Sequence, residues 1–352
     1  MASVSLGLLA VLTSIQTVAG SNIEPGLEMS DSAAGMAPAH DRVLADIEQR
    51  QERVGAAHVF PPDDRFAVTD SKAPGWRTIT LLLLYDADEE LIGECSGVFI
   101  NFNVLLTAAH CLHNDGEFVY AVVAAPGASV TAPEFGLADA AHFVVPVGWI
   151  EGPGKQPADA PITPSKFDWG IVVFNGDPFG GKLAPYPFMA HAEDEFFEAA
   201  TTSIATAGFP GDKPFGSMWA AESLDYFVDD TYVYTLMDVF PGQSGSPIFA
   251  IDDDDFFIFS VVSLGSPLAN LSVRFTPVVL NALEGYCKGL GCTVKTFVWE
   301  PDATVTPTST PTKTATPSPI PTSPPTATPT SVPATPVANR PFRGIMPQLS
   351  RD

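Results

Sequence analysis

Between about residues 75 and 285 the chain is a series of short apolar runs, each interrupted within a few residues by Gly, Pro, Asn or Asp. Many short runs with this spacing are typical of strands in an all-β barrel or sandwich. One segment in this region, Val278–Tyr286, has the apolar spacing of an amphipathic helix. The sequence therefore predicts an all-β fold that ends in one helix. The predicted strands are Thr78–Tyr85, Cys95–Ile100, Val104–Thr107, Phe118–Ala124, His142–Val147, Trp169–Phe174, Ser203–Gly208, Tyr232–Met237, Pro247–Ile251, Phe256–Leu264 and Val273–Pro277.

The charge of the chain limits its partners. Its 352 residues include 41 Asp and Glu but 17 Lys and Arg, which gives a formal net charge of −24. A surface this acidic repels phosphate backbones and anionic lipids, so we expect no nucleic acid and no membrane as partners. There is no P-loop, no GxGxxG and no CxxC pair, which argues against nucleotide, dinucleotide and zinc sites.

The N-terminal region differs from the strand-rich region. Residues 3–19 form a short apolar run followed by small residues, as in a secretory signal peptide, although no Lys or Arg precedes Arg42. A flexible start or a wrongly assigned initiation site are the alternatives. We assign residues 1–20 to a signal peptide and residues 21–58, which show no strand pattern, to a propeptide, with a disordered arm as the alternative. The protein is thus predicted to be secreted.

Residues 299–352 are predicted to form a disordered, Pro/Thr-rich tail. The stretch 301–336 holds 11 Pro and 12 Thr and no aromatic residue. Such a composition cannot bury a core and favours an extended spacer. The globular domain is therefore expected at residues 59–298.

The stretch Gly242–Pro247 (GQSGSP) carries a serine suited to nucleophilic catalysis. Ser244 lies between glycines, which let the backbone bend sharply and approach a substrate closely. The N–H groups of Gly242 and Ser244 can then face a developing oxyanion. Taken alone, the stretch is equally consistent with a turn between two strands.

A histidine and an aspartate stand at the ends of two apolar strands. His110 follows two alanines in Val104–Cys111, and Asp168 leads directly into Trp169–Phe174. A carboxylate buried beside an imidazole can fix its tautomer and stabilise its charged form. Each residue alone also has a structural explanation, as a histidine at a strand end and as an aspartate in a local turn.

The chain order His110, Asp168, Ser244 on an all-β pattern with a terminal helix resembles the chymotrypsin-like serine proteases, in which TAAHC and GxSG carry the histidine and the serine. The glutamyl endopeptidase (V8-like) branch is the most similar. Its further matches, within about residues 59–290, are Asp64-Arg65, Val68-Thr69-Asp70, Gly208–Pro214, Trp219, Ser244–Pro247, Asn270 and Val273–Thr276.

This resemblance implies a fold and a mechanism. The fold would be two perpendicular six-stranded antiparallel β-barrels with a cleft between them. His110 would be the general base for Ser244, Asp168 would orient His110, and the N–H groups of Gly242 and Ser244 would form the oxyanion hole. The substrates would be proteins or peptides, the protein would be a monomer, and neither a metal nor an organic cofactor would be required.

The sequence departs from trypsin at the residue before the serine. Gln243 stands where trypsin has an aspartate, so activation by a new N-terminal ammonium that pairs with this residue is not available.

Two further features leave the preference for the residue before the scissile bond (P1) open. Ser263, two residues before Gly265, stands where the glutamyl branch has a histidine that helps to bind glutamate. Asp238 lies six residues before Ser244, where trypsin has its selector for basic residues. Asp238, Ser263 and Gly265 are the candidate substrate-binding residues.

The four cysteines suggest two disulfides. Cys95 and Cys111 would clamp the hairpin that carries His110, and the glycines between Cys287 and Cys292 allow a tight loop. Two bridges would use every cysteine, as expected of an exported protein, with free buried thiols as the alternative.

The predicted function is a secreted serine endopeptidase. The main alternative is a catalytically silent binding module on the same fold, displayed by the Pro/Thr-rich spacer. A third is an esterase of another fold. The chain order disfavours it, and so does Ser246, which replaces the last glycine of a G-x-S-x-G elbow.

Overall fold

The computed structural model describes residues 26–31, 59–156, 164–192, 203–224, 226–252, 255–265 and 268–299. The predicted signal peptide, most of the predicted propeptide and almost all of the predicted tail lie outside these residues. The regular structure of the described residues is mainly β-strand, arranged in two large sheets and one two-stranded ribbon. The predicted all-β class is confirmed, and each large sheet forms one of the two β-barrels.

The first barrel contains eight strands. In order across the sheet they are β1 (Leu27–Asp31), β10 (His142–Pro146), β11 (Gly170–Val173), β5 (Val104–Thr107), β4 (Leu91–Asn101), β3 (Ile79–Tyr85), β8 (Ala121–Pro126) and β9 (Ala138–Asp139). The ribbon beside it consists of β6 (His113–Asn114) and β7 (Glu117–Phe118). One helical turn, α1 (Val147–Ile150), directly follows β10.

The second barrel contains ten strands. Eight of them follow in the order β15 (Tyr226–Val228), β16 (Tyr232–Thr235), β19 (Asn270–Arg274), β18 (Asp255–Gly265), β17 (Pro247–Asp252), β13 (Ile204–Gly208), β14 (Trp219–Ser223) and β2 (Phe66–Ala67). The other two are β12 (Phe188–Ala192), which pairs with β18, and β20 (Thr296–Trp299), which pairs with β12.

The sheets differ from the predicted six antiparallel strands each. Short strands extend both sheets, and β12 pairs in parallel with β18 and with β20. The sequence pattern does not reveal these additions because a strand of two to five residues at a sheet edge needs few apolar side chains.

One strand lies within residues 21–58, where the sequence shows no strand pattern. The five residues of β1 pair antiparallel with His142–Pro146 of β10. Leu27 and Met29 pack against the core, and the Tyr286 hydroxyl donates to Met29 Sδ at 3.5 Å. The sequence pattern missed this strand because β1 is held mainly by backbone pairing with β10. Its only two apolar side chains, those of Leu27 and Met29, pack against the core.

The predicted C-terminal helix is confirmed and is longer than expected. It is α2 (Pro277–Gly289), preceded by Thr276, whose side-chain oxygen accepts a hydrogen bond from the Val279 N–H. Pro277 occupies the first turn, where its missing N–H costs no hydrogen bond. This combination of cap and proline fixes where the helix begins.

Both predicted disulfides are confirmed. One joins Cys95 of β4 to Cys111, and the other joins Cys287 of α2 to Cys292. The first lies directly beside His110 and therefore bears on the site described below.

The two barrels share a continuous hydrophobic core. Trp76, before β3, packs against the stacked rings of Phe249 and Phe256, with centroids 5.8 and 5.7 Å away and nearly perpendicular planes. Edge-to-face packing of this kind adds to the burial energy of the rings. In the described part of the chain, no helix has the length and apolar character needed to cross a lipid bilayer.

A buried histidine in the ribbon makes stability depend on pH. His113 is 2% exposed and packs on the Phe118 ring, with centroids 4.8 Å apart. Burial lowers the pKa of His113 below its ordinary value. Below about pH 6.5 the unfolded chain takes up a proton that the folded chain does not, so this stability is complete above that pH and declines as the pH falls. We expect His113 to contribute at most about 1.4 kcal/mol per pH unit to this decline.

Urea unfolding of His113→Phe and of the wild type at pH 7.5 and 5.5 measures the effect. The variant should lose less free energy of unfolding between the two pH values. The matched control Phe118→Leu should be destabilised by the same amount at both. An equal decline in His113→Phe and wild type would contradict a buried, neutral His113.

Candidate active site

His110 and Asp168 are brought together by the pairing of β5 with β11. The strands are antiparallel neighbours, with Thr107 opposite Gly170. His110 follows β5 in the 3₁₀ turn Ala109–Cys111 and Asp168 precedes β11, so both lie at the same edge of the sheet. His110 Nδ1 is 2.8 Å from Asp168 Oδ2, and the His110 backbone N–H donates to Asp168 Oδ1 at 2.9 Å. Because Nδ1 engages the carboxylate, Nε2 is the ring nitrogen left for another partner.

A third donor reaches Asp168 from the second barrel. The Ser263 hydroxyl donates to Asp168 Oδ2 at 2.5 Å. Ser263 is 1% exposed and Asp168 is fully buried. The sequence predicts that Ser263 binds substrate. In the structure its hydroxyl binds the Asp168 carboxylate instead, because β18 brings it to the contact between the two barrels. Three hydrogen bonds thus fix the orientation of Asp168.

Ser244 lies in the loop between β16 and β17 of the second barrel and packs against the first barrel. Its carbonyl accepts a hydrogen bond from the Ser96 N–H at 2.8 Å. The Ser96 hydroxyl donates to the Gly242 carbonyl at 2.8 Å. Ser96 adjoins the Cys95–Cys111 disulfide, which flanks His110. The loop that carries the serine is therefore held against the strand and the disulfide that position the histidine.

Gly245 allows this close approach. Its φ is +81°, and a Cβ atom at this position would lie 2.2 Å from Thr107 Oγ1 and 2.3 Å from the Ser96 carbonyl oxygen. Both the conformation and the space therefore require glycine. Thr107 is three residues before His110, so the contact brings the Ser244 and His110 segments together.

The backbone before Ser244 presents two N–H groups with no internal acceptor. Gly242 has a φ of +102°. Gln243 holds the turn internally, since its N–H donates to the Phe240 carbonyl at 2.9 Å and its Oε1 accepts from the Phe240 N–H at 3.0 Å. Within the described residues, neither the Gly242 N–H nor the Ser244 N–H donates to a protein group. This pair of donors can bind an oxygen that carries negative charge.

Tyr232 is a neighbour of the site that the sequence analysis missed. Burial raises the pKa of Tyr232 to about 12, and the nearby Tyr234, Asp229 and Asp168 add to the shift. Tyr232 lies on β16, which pairs with β19, and nothing in the local run YVYT marks it.

The other two candidate substrate-binding residues differ in accessibility. Asp238 is 1% exposed, and its carboxylate accepts the N–H groups of Phe60 at 2.6 Å and Asp64 at 3.0 Å. Its oxygens are thus committed inside the protein and do not face a substrate. Gly265 ends β18 opposite Asn270 and is partly exposed.

Comparison with known proteins identifies the family. Residues 87–279, more than half of the chain, match the trypsin family. The chain belongs to the trypsin family. This match confirms the predicted membership of the chymotrypsin-like serine proteases.

Its relatives include two glutamyl endopeptidases. One, from Bacillus licheniformis, is 27% identical over 194 residues, which cover 54% of each chain. The other, from Staphylococcus aureus, is 24% identical over 220 residues, which cover 58% of this chain and 52% of the relative. The chain thus spans about half the length of these relatives. The solved structure of a Glu endopeptidase in complex with MPD aligns with a TM-score of 0.55 at 22% identity and covers 66% of this chain and 99% of that one, a likeness of fold.

An extracellular metalloprotease of Bacillus subtilis is also similar, at 25% identity over 243 residues that cover 68% of this chain and 72% of that protein. Among the described residues, the close group of potential metal ligands is Cys95, His110 and Cys111. Both sulfurs are joined in a disulfide and His110 Nδ1 is bonded to Asp168, so this donor set does not fit a metal ion.

Proposed function

We propose that this chain is a secreted serine endopeptidase that hydrolyses peptide bonds through an acyl-enzyme on Ser244. The observation that carries the proposal is the 2.8 Å contact between His110 Nδ1 and Asp168 at the edge of one barrel, with the Ser244 loop of the other barrel packed beside it. Membership of the trypsin family and the similarity to two glutamyl endopeptidases support the same reaction class.

The proposed mechanism assigns one role to each group. His110 Nε2 takes the proton of the Ser244 hydroxyl while the oxygen attacks the peptide carbonyl, and Asp168 holds Nδ1–H and stabilises the imidazolium. The N–H groups of Gly242 and Ser244 donate to the oxyanion. His110 then gives the proton to the leaving amine, and a water activated by His110 cleaves the ester and restores Ser244.

The structure also bears on the choice of substrate. The Asp238 carboxylate already accepts two backbone N–H groups, so we expect no preference for Arg or Lys at P1 from this residue. The strand β18, Asp255–Gly265, contains no histidine that could bind a glutamate side chain. We therefore propose that cleavage is not limited to bonds that follow glutamate.

Cleavage of a peptide library by the mature protein, with products identified by mass spectrometry, tests this function. We expect hydrolysis that a serine-reactive fluorophosphonate abolishes, at several P1 residues. Peptides that bind without being cleaved would favour the catalytically silent binding module. Cleavage that a chelator stops and a fluorophosphonate does not would contradict the serine mechanism.

Secretion and processing form part of the same proposal, with removal of residues 1–20 and then 21–58. The contacts of Phe60 and Asp64 with Asp238 support a working domain that starts near Val59. If these contacts order the site only after cleavage, the unprocessed chain must order the site when it binds a substrate, and it therefore binds the substrate more weakly. We expect N-terminal sequencing of secreted protein to give Val59 and the unprocessed form to have the weaker activity.

A Ser244→Ala chain serves as the control, because it separates self-cleavage from cleavage by another enzyme. Full activity in the unprocessed form would contradict the propeptide. A start many residues beyond Arg65 would contradict the boundary alone.

A further inference from the structure

The buried carboxylate of Asp238 has no role in the proposed mechanism, yet it lies only four residues before Gly242. Its two oxygens accept one N–H each from Phe60 and Asp64, at 2.6 and 3.0 Å. Charged acceptors make the stronger backbone hydrogen bonds, and a buried carboxylate needs such partners. Residues 59–65, which we name the clamp segment, are therefore attached to the start of the loop that carries Ser244.

Arg65 attaches the same segment at a second point. Its side chain is fully buried, and its Nη1 and Nη2 donate to Asp212 Oδ1 and Oδ2 at 2.9 and 2.5 Å. Its Nε and Nη2 donate to Asp63 Oδ1 at 3.0 Å and to Asp63 Oδ2 at 2.8 Å. Two bidentate contacts hold the planar group rigidly in a way that a lysine cannot reproduce. The Arg65 guanidinium lowers the pKa of Asp63, and the Asp63 and Asp212 carboxylates raise the pKa of Arg65 against the opposing effect of its burial, which favours the charged forms of Asp63 and Arg65.

The second attachment leads to another point of the same loop, directly before Gly242. Asp212 follows Gly211, whose N–H donates to the Pro241 carbonyl at 2.8 Å. Pro241 immediately precedes Gly242, and a Cβ atom on Gly242 would lie 2.4 Å from the Phe209 carbonyl oxygen. The two loops are thus in direct contact beside the proposed oxyanion hole.

We propose that Asp238 and Arg65 are positioning residues through which the clamp segment sets the geometry of the oxyanion hole. Asp238 fixes the loop before Phe240, and Arg65 fixes Pro241 through Asp212 and Gly211. The N–H groups of Gly242 and Ser244 then converge on one point. The inference rests on the proposed function, because it assigns these N–H groups to an oxyanion. It also gives Asp238 a role other than selection of a basic P1 residue.

The variants Asp238→Asn and Arg65→Gln test the clamp, with kcat and KM measured on one good peptide substrate and Ki measured for a matching peptide aldehyde. The aldehyde forms a hemiacetal whose oxygen occupies the oxyanion hole, so its affinity reports the geometry of the hole. We expect kcat to fall about 10- to 100-fold, the aldehyde Ki to rise in parallel, and KM to change little. Arg65→Lys keeps the charge but cannot make the bidentate contacts, so its kcat and aldehyde Ki should lie between those of the wild type and Arg65→Gln.

Lys72→Gln is the matched control, because it removes one positive charge from an exposed ion pair with Glu134 in the other barrel. Its kcat, KM and aldehyde Ki should equal those of the wild type. Should a neutral variant fail to fold, Asp238→Glu and Arg65→Lys keep the charge and give the same readouts at smaller amplitude.

Hydrogen exchange at residues 238–246 separates this inference from the proposed function, since it requires no turnover. Faster exchange there in Asp238→Asn and Arg65→Gln, and not in Lys72→Gln, would support the clamp even if the wild type proved inactive. Wild-type kcat and exchange in both clamp variants would overturn it. So would a new P1 preference in Asp238→Asn with unchanged kcat, because Asp238 would then be a selector.

Discussion

Replacing Ser244 with alanine will lower kcat for peptide hydrolysis about 10⁴-fold or more, and His110→Ala will do the same. In the proposed mechanism, Ser244→Ala removes the attacking oxygen and His110→Ala removes the base that takes its proton. Because the two groups act as a unit, the double variant should be no slower than either single variant. The folds should persist, since in His110→Ala the buried Asp168 keeps the backbone N–H of residue 110 and the Ser263 hydroxyl.

Initial rates with one peptide substrate and thermal unfolding of each variant measure this prediction. Ser246→Ala is the matched control, because it lies two residues away, is fully buried and has a hydroxyl without a hydrogen-bond partner among the described residues. It should keep nearly the wild-type kcat. Ordinary turnover by folded Ser244→Ala would remove the serine from the mechanism.

Asp168→Asn should lower kcat by a similar factor, about 10⁴-fold. An amide at this position presents N–H groups towards His110, which favours the tautomer with the proton on Nε2, and it no longer stabilises the imidazolium. Ser263→Ala should cost much less, about tenfold, because it removes one of three donors to the carboxylate and leaves the His110 contacts in place.

Asp177→Asn is the control for this change, since it neutralises an exposed carboxylate of a surface turn in the same barrel. We expect no effect on kcat. A near-wild-type rate in Asp168→Asn would move the orienting role to another carboxylate, and a loss in Ser263→Ala as large as that in Asp168→Asn would contradict the modest role given to Ser263.

Much of this architecture could be predicted because its signals are local. The apolar runs mark the long strands, the apolar spacing of Val278–Tyr286 marks α2, and the positions of the four cysteines mark both disulfides. His110 and Asp168 could be paired from the sequence only through a family resemblance. Their contact depends on the pairing of β5 with β11, two strands that are far apart in the chain and show no local sign that they are neighbours.

The remaining features have no local signal. Ser263 stands in an ordinary β-strand run, and only the packing of the second barrel against the first brings it to Asp168. The strand β1 depends on an open edge of β10, which is a property of the partner strand. Asp238 has the spacing of a specificity residue, but the N–H groups of Phe60 and Asp64 that occupy it come from a segment more than 170 residues earlier in the chain.

Covalent labelling by a fluorophosphonate, followed by digestion and mass spectrometry, tests the central claim most directly, because this probe reacts with an activated serine and requires no knowledge of the substrate. We predict a single label on Ser244 in the wild type and in Ser246→Ala, and none in Ser244→Ala or His110→Ala. A folded, processed wild type that takes up no label, or that carries it on another residue, would contradict the account.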